Sequence, residues 1–329
     1  MTDITVVIPV YNVERYIQKC LDCFFVDTPI KLEILAIDDC STDGSLAILR
    51  KNELSRPNLR VIESERNQGV SALRNLGVRQ AHGKYIYFCD SDDTLDFKGI
   101  ETLFQMAEDQ SLDVSIGYRY ELYEETGEAL YKKLGVQDTG VVSGKEFLYI
   151  SMTDKLQGIG PWQNLYLKNF LIDNDLWCLL DNNHQDNELM PRVMLVAQRV
   201  RSIDLPFYCH LIRQGTLSHH NNYARTVSNR LEIIRIQYQL VLDNHKERRT
   251  RLALSTLLAY NLAKMIRSAS MLPVHDKKIV MKELRDRRYA REAIHSLRRN
   301  TKFLALCVLV SPELTCLFFK HRQNQRQSG

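Results

Sequence analysis

The chain has 329 residues, 44% hydrophobic and 26% charged, the make-up of an ordinary globular protein with one large or two smaller folded units. Disorder is excluded except at the polar end HRQNQRQSG, 321–329, and a zinc site is excluded because the eight cysteines offer no second ligand pair beside Cys20 and Cys23. The net charge of +4 hides an asymmetry: residues 245–302 hold 16 Lys and Arg against 5 Asp and Glu, and the first 244 hold 25 against 34.

Residues 4–10 (ITVVIPV) read as a buried strand closed by Pro9 and the turn pair Tyr11-Asn12. With a strand there and no signal peptide before it, a cytosolic chain with reduced thiols is expected. Apolar spacing at Tyr16, Ile17, Cys20, Leu21 and Phe24 predicts a helix over 14–25. A second strand over 32–37 ends in Asp38-Asp39, and Ser41-Thr42-Asp43-Gly44 leads into a helix over 45–52 with Asp43 as candidate N-cap. A third strand spans 59–63, a turn Asn67-Gln68-Gly69, and a helix over 70–80 carries Arg74 and Asn75. The stretch 83–93, GKYIYFCDSDD, is a strand opened by glycine and stopped by Asp90, Asp92 and Asp93; a helix over 97–110 follows. This alternation predicts a mainly parallel sheet with a ligand crevice at the strands' carboxyl ends.

Beyond residue 112 the pattern loosens. A strand-like VSIGYRYELY, a hairpin signal ETGEA and a short helix near 145–151 fill 113–150. Residues 160–172 and 184–198 read as helical, 206–218 as strand plus loop, and everything from Arg225 on as helical. Leu254, Leu257, Leu258, Asn261, Leu262, Met265 and Ile266 form a stripe expected in the core. The apolar run 303–319 is interrupted by Pro312 and Glu313 and is short for a bilayer span. Two readings compete for it: a helix in the membrane interface, flanked by Arg298, Arg299, Lys302, Lys320 and Arg322, or burial against the preceding helices. The basic rear suggests an anionic partner, phospholipid head groups or a phosphorylated glycolipid. Nucleic acid is set aside because no nucleic-acid motif or run of stacking aromatics accompanies the charge. A merely solvated helical face is the competing reading.

The chemistry concentrates at the strand ends. Carboxylates crowded there repel one another and hold protons unless a cation is present. A divalent ion with oxygen ligands relieves that repulsion and recruits phosphate oxygens. Tyr11 offers an aromatic face for a base, the Asp38-Asp39 pair an acceptor for a pyrimidine N–H, and Arg74 a partner for phosphate or for the carboxylates. A metal–diphosphate site is therefore expected.

In order and spacing, VVIPVYN, AIDDCSTDGS, NQGVSALRNLGV and GKYIYFCDSDD resemble the family 2 glycosyltransferases, over about residues 4–218. The resemblance implies an α/β GT-A fold in residues 1–220, with 221–329 a helical, basic extension for membrane-surface or acceptor contact. It also implies inverting transfer from a nucleotide sugar, usually UDP-linked, with Mn2+ or Mg2+. On that pattern Pro9 and Tyr11 line the nucleotide site, Tyr11 stacking on uracil and Asp39 contacting it. Asp92 is then the metal ligand and Asp90 binds ribose or sugar.

The family's base comes from a Glu-Asp pair opening a later helix. Here the stretch is His184-Gln185-Asp186-Asn187-Glu188, so Asp186 aligns as the base and Gln185 replaces the Glu. Tyr208, His210 and Arg213, before Gln214-Gly215-Thr216-Leu217-Ser218, resemble the aromatic-plus-arginine segment beside the diphosphate, with Arg213 as a closing contact. Trp162 resembles the aromatic of the acceptor pocket, and Asp93 is a second acceptor-side candidate. The HQD variant, the basic rear and the length resemble bacterial lipopolysaccharide-core enzymes that add a uronic acid. That narrower resemblance implies a UDP-sugar donor and a glycolipid acceptor at the cytoplasmic face of the inner membrane. The competing readings are a capsule or O-antigen transferase and a catalytically silent sugar-nucleotide binder; intact Asp90, Asp92 and Asp186 argue against the silent one.

Overall fold

The computed structural model describes residues 2–130, 138–153, 160–182, 184–213 and 223–327. Its first half follows the apolar runs: β1 (Ile4–Val10), α1 (Ile17–Asp22), β2 (Leu32–Asp38), α2 (Ser45–Glu53), β3 (Leu59–Glu63), α3 (Val70–Gln80), β4 (Tyr85–Phe88), β5 (Thr94–Leu95) and α4 (Phe97–Gln110). Then come β6 (Val114–Tyr123), β7 (Ala129–Leu130), α5 (Gly144–Thr153), β8 (Asn164–Leu167), α6 (Lys168–Asp173), α7 (Asp186–Val196) and β9 (Val200–Ile212). The rest is helical: α8 (Tyr223–Asp243), α9 (Arg248–Ala269), α10 (Val274–Arg285), α11 (Arg288–Ala293), α12 (Arg299–Val310) and α13 (Pro312–Gln327). Packing groups the chain into two units, Met1–Phe147 with Leu156–Thr216, and Leu148–Lys155 with Leu217–Gly329.

In the first unit a mixed sheet runs in the order β3-β2-β1-β4-β8-β6-β9-β5, with β7 paired to β6. Strands β1 to β4 are parallel neighbours, β8 lies antiparallel between β4 and β6, and β9 is parallel to β6. All seven residues of β1 are buried, which is why it reads as a continuous apolar run rather than an alternation. Val10 lies opposite Asp38 and Val7 opposite Phe88. The carboxyl ends of β1 and β2 are thereby level and β4 stops about three positions short of them, and Tyr11, Asp39 and Asp90 follow the three ends. Gly77 of α3 packs on β1 so closely that a Cβ there would lie 2.2 Å from Val7 Cγ1; the contact presses α3, and Arg74 with it, onto the sheet.

Several expectations need correction. Pro9 does not end β1 but lies buried inside it opposite Ile37, and Tyr11, beyond the strand, is the exposed residue. The N–H that Pro9 lacks would point toward the end of β4, where pairing has already stopped at Phe88. Asp43 is not the cap of α2: Gly44 holds that position, while Asp43 accepts from Ser45 N at 2.9 Å and Glu14 N at 3.0 Å and ties two turns together. The stretch 160–172 is a 3-10 turn at Pro161–Gln163, then β8, then α6. Four residues, NLYL, are too few for periodicity to separate strand from helix, and pairing to β4 and β6 on both sides decides it. Likewise β9 starts at Val200, earlier than expected, because it pairs along the length of β6. The segment 214–218 lies outside the described residues.

In the second unit α9 carries the stripe: Leu254, Leu258, Asn261, Leu262, Met265 and Ile266 are buried, and Asn261 hydrogen-bonds Arg230 and Gln237 of α8. The run 303–319 is split between α12 and α13. Each buries one face, through Ala305 and Val308 on α12 and Cys316 on α13. Among the described residues no helix is long and apolar enough to cross a membrane.

Candidate active site

The carboxylates after β4 meet three different environments. Asp90 Oδ1 accepts from Arg74 Nη2 at 2.6 Å, and Arg74 is almost wholly buried on the inner face of α3. Burial pushes the Asp90 carboxyl above its ordinary range, Arg74 pulls it back, and the charge of Asp93 adds to the rise. Asp92 Oδ2 accepts from Arg213 Nη2 at 2.9 Å and Nε at 3.2 Å. The Arg213 guanidinium lies 4.4 Å from the centre of the Tyr16 ring, and Tyr16 donates to Glu124 at 2.9 Å. Burial first, then the charges of Asp93 and Asp90, raise Asp92 to about 6 despite Arg213.

Asp93 faces the other way, which corrects the acceptor-side expectation. It is 1% exposed and accepts from Tyr208 Oη at 2.6 Å and Leu211 N at 2.8 Å, with His210 Nδ1 at 3.2 Å. Its work is to pin the carboxylate turn to β9. Tyr208 completes the clasp by accepting from Asp90 N at 3.3 Å. Burial lowers the pKa of His210, but the hydrogen bond and charge of Asp93 outweigh it and the net shift is upward. Trp162, on the 3-10 turn, stacks on His210 at 6.3 Å and Tyr208 at 6.2 Å, with the Arg119 guanidinium 5.9 Å from its ring. It forms one aromatic wall with β9, and its enclosed indole N–H has no hydrogen-bond partner among the described residues.

At the other strand ends Tyr11 is 49% exposed on a turn fixed by Asn12, which adopts φ 51°, accepts from Thr42 N at 2.8 Å and donates through its own N to Ser41 Oγ at 3.1 Å. Asp39 is buried, and its oxygens accept from Gln68 N at 2.7 Å and Gly69 N at 2.8 Å. It fixes the turn into α3, and each oxygen keeps one further lone pair. Asp38 is buried too; Oδ2 accepts from Ser41 N at 3.0 Å, and Oδ1 has no partner among the described residues. The sequence marks the pair, and only the fold separates the two members.

Asp186 opens α7, partly exposed, and accepts from its neighbour Asn187 at 2.8 Å. The residue before it matters more than the sequence discloses. In the amide orientation that satisfies both neighbours, buried Gln185 accepts from Arg74 Nη1 at 2.7 Å and donates to Asn182 O at 2.8 Å. Asn75, next to Arg74, holds the chain nearby through paired hydrogen bonds to Cys178 O at 2.9 Å and N at 2.8 Å. Gln185, Arg74 and Asp90 thus form one chain, which brings the start of α7 to the end of β4.

Among the described residues no three His, Cys, Asp or Glu side chains converge as a preformed cation cage. Mg2+ and similar ions, however, are commonly held by one or two carboxylates together with substrate phosphates. Asp90 and Asp92 each keep one oxygen without a hydrogen bond among the described residues, and both resist ionisation where they stand. The donor set fits a cation arriving with a diphosphate.

Residues 5–175 match the sequence family described as Glycosyl transferase family 2. The chain is 34% identical over 222 residues to Glycosyltransferase GlyA of Streptococcus pneumoniae, a match covering 65% of this chain and 31% of GlyA. It is 28% identical over 218 residues to Uncharacterized glycosyltransferase YibD of Escherichia coli, covering 65% of this chain and 63% of that one. It therefore spans about a third of GlyA and just under two thirds of YibD. The fold is that of S. aureus TarS 1-349 in complex with UDP-GlcNAc: TM-score 0.71 at 19% identity, over 98% of this chain and 92% of TarS 1-349.

Proposed function

The chain belongs to glycosyl transferase family 2, and from that premise we propose that it moves a sugar, with inversion, from a UDP-linked donor to a cell-envelope glycan. The observation that carries the reading is the pair Asp90 and Asp92 at the end of β4, flanked by Arg74 and Arg213. Two carboxylates with raised pKa and two guanidiniums suit a diphosphate accompanied by a divalent cation. That TarS, which shares this fold, was solved with UDP-GlcNAc supports a UDP-sugar donor.

Each residue then has a task. Tyr11 stacks on uracil, and the Asp38-Asp39 pair receives its N–H. Asp90, steadied by Arg74, faces ribose or sugar. Asp92 holds Mn2+ or Mg2+, which when bound offsets charge on the leaving diphosphate. Arg213 closes on the diphosphate. Asp186 takes the proton of the acceptor hydroxyl, and Trp162 borders the acceptor. The HQD variant and basic rear favour a uronic acid, glucuronic or galacturonic, delivered to a lipopolysaccharide-core acceptor.

The test is a donor screen: purified chain, Mn2+ and a panel of UDP-sugars, with UDP release read in the presence and absence of lipopolysaccharide core. Release from UDP-glucuronate or UDP-galacturonate that depends on the core is expected. Preference for a neutral sugar would move the acceptor reading to capsule or O-antigen. No release from any UDP-sugar would overturn the donor reading.

A further inference from the structure

On the second unit, α12 and α13 pack against each other and against α9, and α10 packs on α13. On α12 the buried Ala305 and Val308 lie opposite Phe303, Leu306 and Val310; on α13 buried Cys316 lies opposite Leu314 and Leu317. These five side chains, with Ile279 of α10, are between 45% and 76% exposed. Single exposed leucines are ordinary, but apolar residues repeating at helical spacing on successive helices are a surface that something covers.

The charge around them identifies the cover. Arg299 and Lys302 open α12, Lys320 follows the apolar turns of α13, and Lys278 adjoins Ile279; all four are exposed. The acid within this run, Glu313, is taken by Arg285 at 3.0 Å. A second copy of the chain would bring the same positive face against itself, since a two-fold interface is self-complementary. Nucleic acid would leave the aliphatic side chains with nothing to bury against. A bilayer carrying anionic head groups satisfies both features, taking Phe303 and its neighbours into the acyl boundary while lysine and arginine meet phosphate.

We propose that α10, α12 and α13 form a docking face for an anionic membrane surface. The inference deepens the glycolipid-acceptor reading, because it explains how such an acceptor would be met, but its test reads no sugar transfer. The full chain is floated with vesicles of phosphatidylcholine alone and with vesicles containing about a third phosphatidylglycerol. Binding to the anionic vesicles only, weakening as salt is raised, is expected. Lys302→Glu with Lys320→Glu is expected to reduce that binding about tenfold or more. Phe303→Ser with Leu317→Ser is expected to do likewise, while Leu54→Ser, at an isolated exposed leucine of the first unit, changes nothing.

UDP binding reports separately on the first unit and is expected to be equal in parent and variants, so failure of the donor reading and failure of this one are distinguishable. Equal binding to neutral and anionic vesicles, or none to either, would overturn the proposal. So would a dimer in light scattering that the Phe303→Ser, Leu317→Ser change dissolves, which would give the face to a second copy.

Discussion

Arg213 grips Asp92 by a single carboxylate oxygen, Oδ2, through both Nη2 and Nε, at 2.9 and 3.2 Å. The other oxygen of Asp92 has no such partner among the described residues, and burial beside Asp93 and Asp90 still leaves the carboxyl at about 6. One guanidinium does not offset two neighbouring carboxylates in a mostly closed site.

The pH behaviour of the ligand-free protein follows. The Asp92 pKa is higher in the fold than in the unfolded chain, so this group favours folding while protonated and loses that contribution as pH rises through about 6. Asp92→Asn is expected to raise the thermal midpoint at pH 7.5 by a few degrees, on the order of 2 kcal/mol, with the gain vanishing near pH 4, and to abolish turnover. Thermal melts of parent and variant across pH check this; a destabilised variant at pH 7.5 contradicts it. Mn2+ binding should run the opposite way and strengthen as pH rises through about 6, because the ligand must be ionised.

Gln185 tests the chain from α7 to β4. Gln185→Ala leaves Arg74 Nη1 buried without its acceptor, which is expected to cost about 1–3 kcal/mol in a denaturant titration. Gln185→Glu restores an acceptor and is expected to recover stability. If Gln185→Ala matches the parent in stability, the Arg74 contact is not there.

Asp38, which ends β2, and Asp39, which follows it, are expected to behave differently. Asp39→Ala removes the acceptor for two backbone N–H groups and should destabilise the fold by about 1–3 kcal/mol. Asp38→Asn should melt close to the parent yet, on the proposal that the pair receives the N–H of uracil, bind UDP about tenfold or more weakly, since an amide N–H can then stand where the enclosed Oδ1 has no partner among the described residues. Calorimetry with UDP separates the two; equal UDP affinity in Asp38→Asn and the parent assigns the base contact elsewhere.

On the proposed reading Asp186 serves the chemical step and not donor binding. Asp186→Asn is expected to hold UDP with unchanged affinity and to lose about 100-fold to 10,000-fold in transfer rate. A parallel loss of UDP affinity would make it a binding residue instead.

Much of the first 110 residues is legible because parallel strands buried on both faces leave continuous apolar runs, and turn residues punctuate them. β8 is not legible: its identity comes from pairing with two neighbours rather than from its own four residues. Asp90, Asp92 and Asp93 look interchangeable in the sequence, and their separate environments depend on which strand or helix supplies the partner: Arg74 from α3, Arg213 from beyond β9, Tyr208 and Leu211 from within β9. The Gln185–Arg74 contact is likewise beyond any local pattern. The substitution of Glu by Gln in the HQD triplet is the signal that could have led to it, since an uncharged acceptor beside Arg74 leaves its charge to Asp90.

The bond from Leu211 N to Asp93 has a mechanical meaning. It fastens the backbone just two positions before Arg213, so that arginine works on a short leash. Any move of its guanidinium away from the Asp92 carboxylate therefore calls for rotation about side-chain bonds, with the strand that delivers it staying in place.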